Sequence, residues 1–330
     1  MIRISRAIAA IAVAVALFAS GAAHAEITVY NAQHETLARA WIDAFTKLTG
    51  IKVNYRQGSD LELANVLVQE GRNSPADVFL TENSPAMALV DAAGMFAPVD
   101  PTTLALLPEY YRAGNGHWTG IAARTTVFVY NPAKVPAASL PKSMLDLADP
   151  VWKGRWGASP SGPDFQAVIS AMLELKGESA TADFLRGMKT NATAYRGNDP
   201  VMRAVNAGQI DGGVIYHYYY YGDRARTGEG SKNVALHYFK NQDPGAFISV
   251  SGGGVLASSK NQAEAQKFLQ FILSKQGQDL LQAATEYPVV TGVEPLAALP
   301  PLSGLDAPKL DPAKLNSRKV TELMTRAGIL

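Results

Sequence analysis

The chain has 330 residues, 30 Lys and Arg against 29 Asp and Glu, and no cysteine. The near-balance of charge argues against a nucleic-acid binder, which usually carries a basic excess. The missing thiols remove disulfides, thiolate metal sites and cysteine nucleophiles, so a chain of this length rests on its core alone and is expected to split into two lobes.

The chain opens with two basic residues, Arg3 and Arg6, ahead of an apolar run from Ala7 to Ala19 and the small-residue sequence Ala23-His24-Ala25. That order of basic, apolar and A-x-A segments is the pattern of a secretory signal peptide. The apolar run is shorter than the roughly 20 residues a membrane helix needs. Cleavage is expected near Ala25, leaving a mature chain from Glu26 in the periplasm, with no membrane span. Loss of the two arginines moves the formal charge from +1 to −1.

From Glu26 the sequence alternates strand and helix signals. Ile27-Thr28-Val29-Tyr30 is a short β-prone run, and Asn31 to His34 a turn. Leu37, Trp41, Phe45 and Leu48 then recur at helical spacing until Gly50 stops them. Ile51 to Tyr55 alternates as a strand, Leu61 to Gln69 reads as a helix, Pro75 to Leu80 as a strand, and Ser84-Pro85 starts a helix running to Gly94. This order predicts an α/β domain with a mostly parallel sheet. The pattern resumes with a strand over Thr125–Tyr130, a Pro/Ser/Gly turn at 160–163, and helices near Phe165–Leu175 and over Pro200–Ala207, the latter stopped by Gly208. A strand over Asp211–Ile215 follows, then a strand after Ser251-Gly252-Gly253-Gly254 and helices over Gln262–Leu273 and Ser317–Ala327.

Three places put polar side chains just beyond predicted strands: His34, Glu82, and the run Tyr216-His217-Tyr218-Tyr219-Tyr220-Tyr221. In open α/β sheets ligands bind in the crevice beyond those strand ends. An imidazole, a carboxylate and phenols suit a hard cation better than a soft one. A phenol, with an ordinary pKa near 10, ligates well only when a strongly charged metal displaces its proton. Fe³⁺ is acidic enough to do so, unlike Ca²⁺ or Mg²⁺, and tyrosine is an established iron ligand type. Each piece also has a simpler use. The histidine serves as a turn residue, the glutamate as a carboxylate at a helix start, and the tyrosines as packing or a stacking wall for an organic ligand. On the residues alone these alternatives stay open. There is no His-rich ligand pattern, nucleophile elbow or base–nucleophile pair close in sequence. A secreted metal-dependent hydrolase built on His34 and Glu82 is therefore disfavoured, and no catalytic residue is assigned.

Several segments, in order and spacing, resemble the ferric-binding proteins, the periplasmic iron carriers of ABC importers also called bacterial transferrins. They are Ile27 to His34, Ser74-Pro75-Ala76-Asp77-Val78-Phe79 with Glu82, Gly208-Gln209-Ile210-Asp211 with the tyrosines after Ile215, Asp243-Pro244-Gly245-Ala246, and Glu286-Tyr287-Pro288. The likeness spans nearly the whole mature chain. It implies a binding protein rather than an enzyme, with a type II Venus-flytrap fold whose lobes are joined by crossing strands. One lobe would comprise 26–125 plus 251–299, the other 126–250 plus 300–330, with the leader at 1–25. The implied Fe³⁺ ligands are His34, Glu82, Tyr218 and Tyr219, with Tyr220 as an alternative to one of the pair, in a cleft that closes about a hinge.

Family members often complete the iron shell with phosphate or carbonate at a helix N-terminus. The matching positions here are Ser161 and Gly162, with Asn198, Asn83 and Arg124 as further anion contacts. Pro163 removes one donor there, and Asp164 would repel an anion unless it turns away. Tyr216 and His217 stand where one subgroup has two asparagines. The implied partners are an inner-membrane permease and its ATPase, and a monomer is expected. A carrier of a phosphonate, polyamine or thiamine is the alternative within the same class.

Overall fold

The computed structural model describes residues 26–330, so the leader expected at 1–25 lies outside the described residues. Strand β1 (Glu26–Asn31) pairs in parallel with β2 (Lys52–Gln57) and with β3 (Val78–Leu80). Between β1 and β2 runs the helix Glu35–Thr49, which buries Leu37, Ala38, Trp41, Ile42 and Phe45 on one face. Those positions recur at three- and four-residue intervals, the spacing that puts side chains on one stripe. Gly50, at φ 74°, ends the helix and turns its N–H back to the Thr46 carbonyl, a conformation that costs glycine little. Trp41 is wholly buried, and its indole N–H donates to the Gly277 carbonyl at 2.8 Å, so the large ring carries no unpaired donor into the core.

Two long strands join this unit to the rest. Strand β4 (Thr119–Tyr130) lies antiparallel to β9 (Ile248–Val255) through Thr119–Thr125. From Thr126 to Tyr130 it pairs instead with β7 (Gly212–Tyr216), and β8 (Ala235–His237) also adds along Phe128–Tyr130. Strands β5 (Trp156–Ala158) and β6 (Ala192–Ala194) extend the far side, giving the order β2-β1-β3-β9-β4-β7-β5-β6. The cores are separate. One gathers residues before Thr125 and from Val250 to Leu299 around Trp41, Phe45 and Phe268. Another gathers Phe128, Trp152, Trp156, Phe184 and the C-terminal helix residues Val320, Leu323 and Met324.

Three expectations need correction. The sheet is mixed rather than mostly parallel, because β4 and β9 run antiparallel to their neighbours as they pass between the two cores. The helix near Phe165 spans Pro163–Asn191, continuing past a kink at Gly177, φ 79°. Gly252–Gly254 lies inside β9 rather than before a strand. Packing explains the glycines: a Cβ on Gly252 would collide with the Met87 side chain and stand 3.0 Å from Thr81 Oγ1, and one on Gly253 would reach Leu269 and Ile121 at 2.8 and 2.9 Å. Gly252→Ala is therefore expected to destabilise the protein by about 1–3 kcal/mol through overpacking, read as a lowered denaturation midpoint.

Candidate metal centre

Four strands end beside one another and each hands a side chain to the same point. His34 stands between β1 and the helix Glu35–Thr49. Glu82 follows β3, just before the helix Ser84–Ala92. Asp164 lies in the first turn of the helix Pro163–Asn191, after β5. Tyr218 is the second residue of the helix His217–Arg226, which starts directly after β7. Strand carboxyl ends of this kind are where α/β sheets place ligands.

The hub is the Tyr218 hydroxyl. It lies 3.0 Å from Glu82 Oε1, 3.1 Å from Asp164 Oδ2 and 3.4 Å from His34 Nε2. His34 Nε2 is in turn 3.1 Å from Glu82 Oε1. Tyr219 stacks against Tyr218 with ring centroids 4.3 Å apart and a tilt of 31°. Among the described residues, no group of three or more His, Cys, Asp and Glu side chains is placed by itself to hold a metal ion. The Tyr218 phenol is what joins the imidazole and carboxylates into one set.

Buried groups hold the turns beneath these donors. The Asp60 carboxylate accepts the backbone N–H groups of Glu82 and Asn83 at 2.8 and 2.9 Å, which fixes the turn carrying Glu82. Gln33 Oε1 accepts the His34 N–H at 2.7 Å, while Gln33 Nε2 donates to Ser251 Oγ at 2.8 Å. Asn83 spans the two sides: its Oδ1 accepts from Ser249 Oγ at 2.8 Å and from the Tyr216 hydroxyl at 3.3 Å.

Burial and charge set the protonation of the donors. Burial alone would lower the His34 imidazolium, but the Glu286 and Glu82 carboxylates outweigh it and raise the pKa to about 10. Burial alone would raise Glu82, but the hydrogen bond from His34 and the Arg124 charge hold it down to about 2. Asp164 is pushed up to about 7 by burial and by the neighbouring Glu82 charge. Both phenols are raised, Tyr218 and Tyr219 alike, first by burial and then by the Asp164 and Glu82 charges. Without cargo, the phenols and His34 therefore carry protons at neutral pH, while Glu82 is ionised.

The expected anion contacts take a different form. Asn83 Nδ2 and Asn198 Nδ2 both donate to the Asp164 carboxylate, at 3.0 and 2.8 Å. Asp164 does not turn away as a cap; it occupies the place the asparagines address. A carboxylate in the first turn also sits well in the helix dipole. The Gly162 N–H is already bonded to the Ser159 carbonyl at 3.0 Å, and Ser161 is exposed. Arg124 is fully buried and committed elsewhere: to the Glu82 carbonyl, to Gln33 Oε1 at 2.8 Å, and to Glu286 Oε2 in an ion pair of 3.0 Å. Removing it leaves the buried Glu286 carboxylate with the His34 imidazolium alone as counter-charge. Arg124→Met is thus expected to lower stability by about 3–5 kcal/mol in chemical denaturation. Tyr220 also departs from expectation. Two residues beyond Tyr218, it points about 200° around the helix and lines a separate cavity with Tyr221 and Tyr238. Of the residues that sequence reading left without a role, Asp164 and Glu286 contribute most. In sequence Asp164 reads as a charge that would repel an anion unless it turns away, and the signal at Glu286 is its place in Glu286-Tyr287-Pro288.

Residues 73–314 match the family described as bacterial extracellular solute-binding protein, and the chain belongs to that family. It is 63% identical over 317 residues to the Fe(3+)-binding periplasmic protein of Serratia marcescens, covering 95% of this chain and 94% of that one. It is 37% identical to the major ferric iron-binding protein of Neisseria meningitidis, covering 96% and 97%. Among solved structures it is similar to the iron-bound HitA of Pseudomonas aeruginosa, with a TM-score of 0.88 and 43% identity over 92% of this chain and 99% of that one.

Proposed function

We propose that this chain is the periplasmic ferric-iron carrier of an ABC importer, holding Fe³⁺ between two lobes and passing it to an inner-membrane permease driven by an ATPase. The observation that carries the reading is the Tyr218 hydroxyl, which lies within 3.4 Å of an imidazole, and of two carboxylates supplied from both sides of the crossing strands. Hard oxygen donors with a nitrogen are the chemistry of a small, highly charged cation. A Tyr218 phenol turned hydroxyl-first into the site favours a metal over a stacked organic ligand. The ferric names of relatives that align along almost the whole chain support the same cargo.

The ligands are then His34, Glu82, Tyr218 and Tyr219, with Asp164 as a fifth donor. Asp164 supplies from within the chain the negative charge that a phosphate or carbonate would bring. The lobes divide where β4 changes partners, between Thr125 and Thr126, as 26–125 plus 251–299 and 126–250 plus 300–330. His34 and Glu82 belong to the first, Asp164 and the tyrosines to the second, so bound cargo ties the lobes together. Export, removal of a leader near Ala25 and a role without catalytic turnover complete the reading. Among the described residues no helix is long and apolar enough to cross a membrane.

The test is thermal. Ferric citrate at a hundredfold excess over its dissociation constant is expected to stabilise the protein by about 2.7 kcal/mol, with one iron retained per chain. No shift with ferric citrate, alongside a shift with a phosphonate, polyamine or thiamine, would overturn the assignment of cargo.

A further inference from the structure

His34 faces two ways. Its Nε2 meets Glu82, Tyr218 and the site, while its Nδ1 lies 3.3 Å from Glu286 Oε1 on the opposite side. Glu286 is wholly buried and lies 252 residues along the chain from the histidine it touches. It is set there by a tight turn. Thr285 takes a left-handed conformation, φ 56°, and the Glu286 N–H returns to the Leu281 carbonyl at 3.1 Å. Its second oxygen, Oε2, forms an ion pair with Arg124 at 3.0 Å. Arg124 also grips the Glu82 carbonyl and Gln33 Oε1, the oxygen that accepts the His34 backbone N–H.

A buried carboxylate is costly unless a partner balances it, and one aimed at a histidine has a use. Arg124 supplies the balance. The use follows from imidazole chemistry. A histidine binds metal through one nitrogen, and which one is decided by the hydrogen bond at the other; a carboxylate there fixes the ring and makes the ligating nitrogen a better donor. We infer that Glu286 is a positioning residue for the metal centre: it accepts the Nδ1–H of His34 and so presents Nε2 to the cargo, with Arg124 locking Glu286 to the turns that carry His34 and Glu82. This inference rests on the ferric reading of the site.

Two double variants isolate the acceptor. Arg124→Met with Glu286→Met removes the buried pair and the acceptor together. Arg124→Met with Glu286→Gln also removes both charges, but keeps a side-chain carbonyl opposite Nδ1. Neither leaves a lone buried charge, so both are expected to fold. The Met/Met protein is expected to bind Fe³⁺ 10–100-fold more weakly than the Met/Gln protein, the usual loss when a group behind a ligand is removed. Gallium-loaded, ¹⁵N-histidine-labelled protein gives a second reading. Wild type and Met/Gln should show a slowly exchanging His34 Nδ1–H resonance, and Met/Met should lose it. Equal ferric affinity in the two variants, or a wild type in which no protected Nδ1–H resonance is seen, would overturn the role of Glu286. The wild-type resonance decides the matter even if a variant does not fold. Failure of the ferric reading looks different, because the wild type would then bind neither Fe³⁺ nor Ga³⁺.

Discussion

Tyr218→Phe is expected to strip the ferric complex of most of its visible colour and to weaken ferric binding by more than the 10–100-fold typical for loss of a group behind a ligand. The colour of such a complex comes from charge transfer between phenolate and iron, and this hydroxyl touches His34, Glu82 and Asp164 together. The change keeps the ring and its contacts, with centroids 5.1 Å from His34 and 4.3 Å from Tyr219. Metal-free stability should therefore shift by no more than about 1–3 kcal/mol, the cost of leaving polar partners unsatisfied. A competition titration against a chelator, followed by the visible band, measures both effects. Tyr220→Phe is expected to change neither, since that side chain lines another cavity.

Ferric binding at pH 7 is expected to release about three protons per iron, one from each phenol and one from His34, with a further fraction from Asp164. The sign follows from the protonation states. His34, raised to about 10, is still charged at neutral pH and gives up a proton to ligate. Both phenols stand above their ordinary value and do the same. Glu82, lowered to about 2, brings none. Affinity must then fall as pH falls, by roughly three powers of ten per pH unit near pH 7. The loss steepens below pH 7, where Asp164, titrating at about 7, holds its proton more fully. Indicator-dye titration in weakly buffered solution, corrected for the chelate's own titration, counts the protons. A count near zero would mean that neither phenol ionises on binding.

Much of this was readable beforehand, for physical reasons. The helix Glu35–Thr49 declared itself through Leu37, Trp41 and Phe45 and the stop at Gly50, because one stripe and one left-handed residue decide it locally. His34, Glu82 and the tyrosines were legible as polar groups at strand ends, though only the family resemblance joined them into one set. What stayed hidden depended on distant partners. Asp164 at a helix start reads either as a charge facing an anion site or as one turned away from it. Asn83 and Asn198, from other segments, decide between the two. Glu286 reaches His34 only through the fold, and its place in Glu286-Tyr287-Pro288 gives it no role by itself. The glycines of β9 look like a turn in sequence, yet they are strand positions emptied by Met87, Leu269 and Ile121. The nearly continuous burial of β4 is what a strand crossing between two cores requires, and a local strand signal does not show where it changes neighbours.

The central claim is that Fe³⁺ sits on phenolate oxygens at the meeting point of His34, Glu82 and Asp164. Resonance Raman spectra of the stoichiometric ferric complex, excited in its visible band, test it most directly. Strong tyrosinate modes in the wild type, sharply reduced in Tyr218→Phe and Tyr219→Phe, are the expected result. A ferric complex without tyrosinate modes, or one whose modes survive both substitutions unchanged, would contradict it.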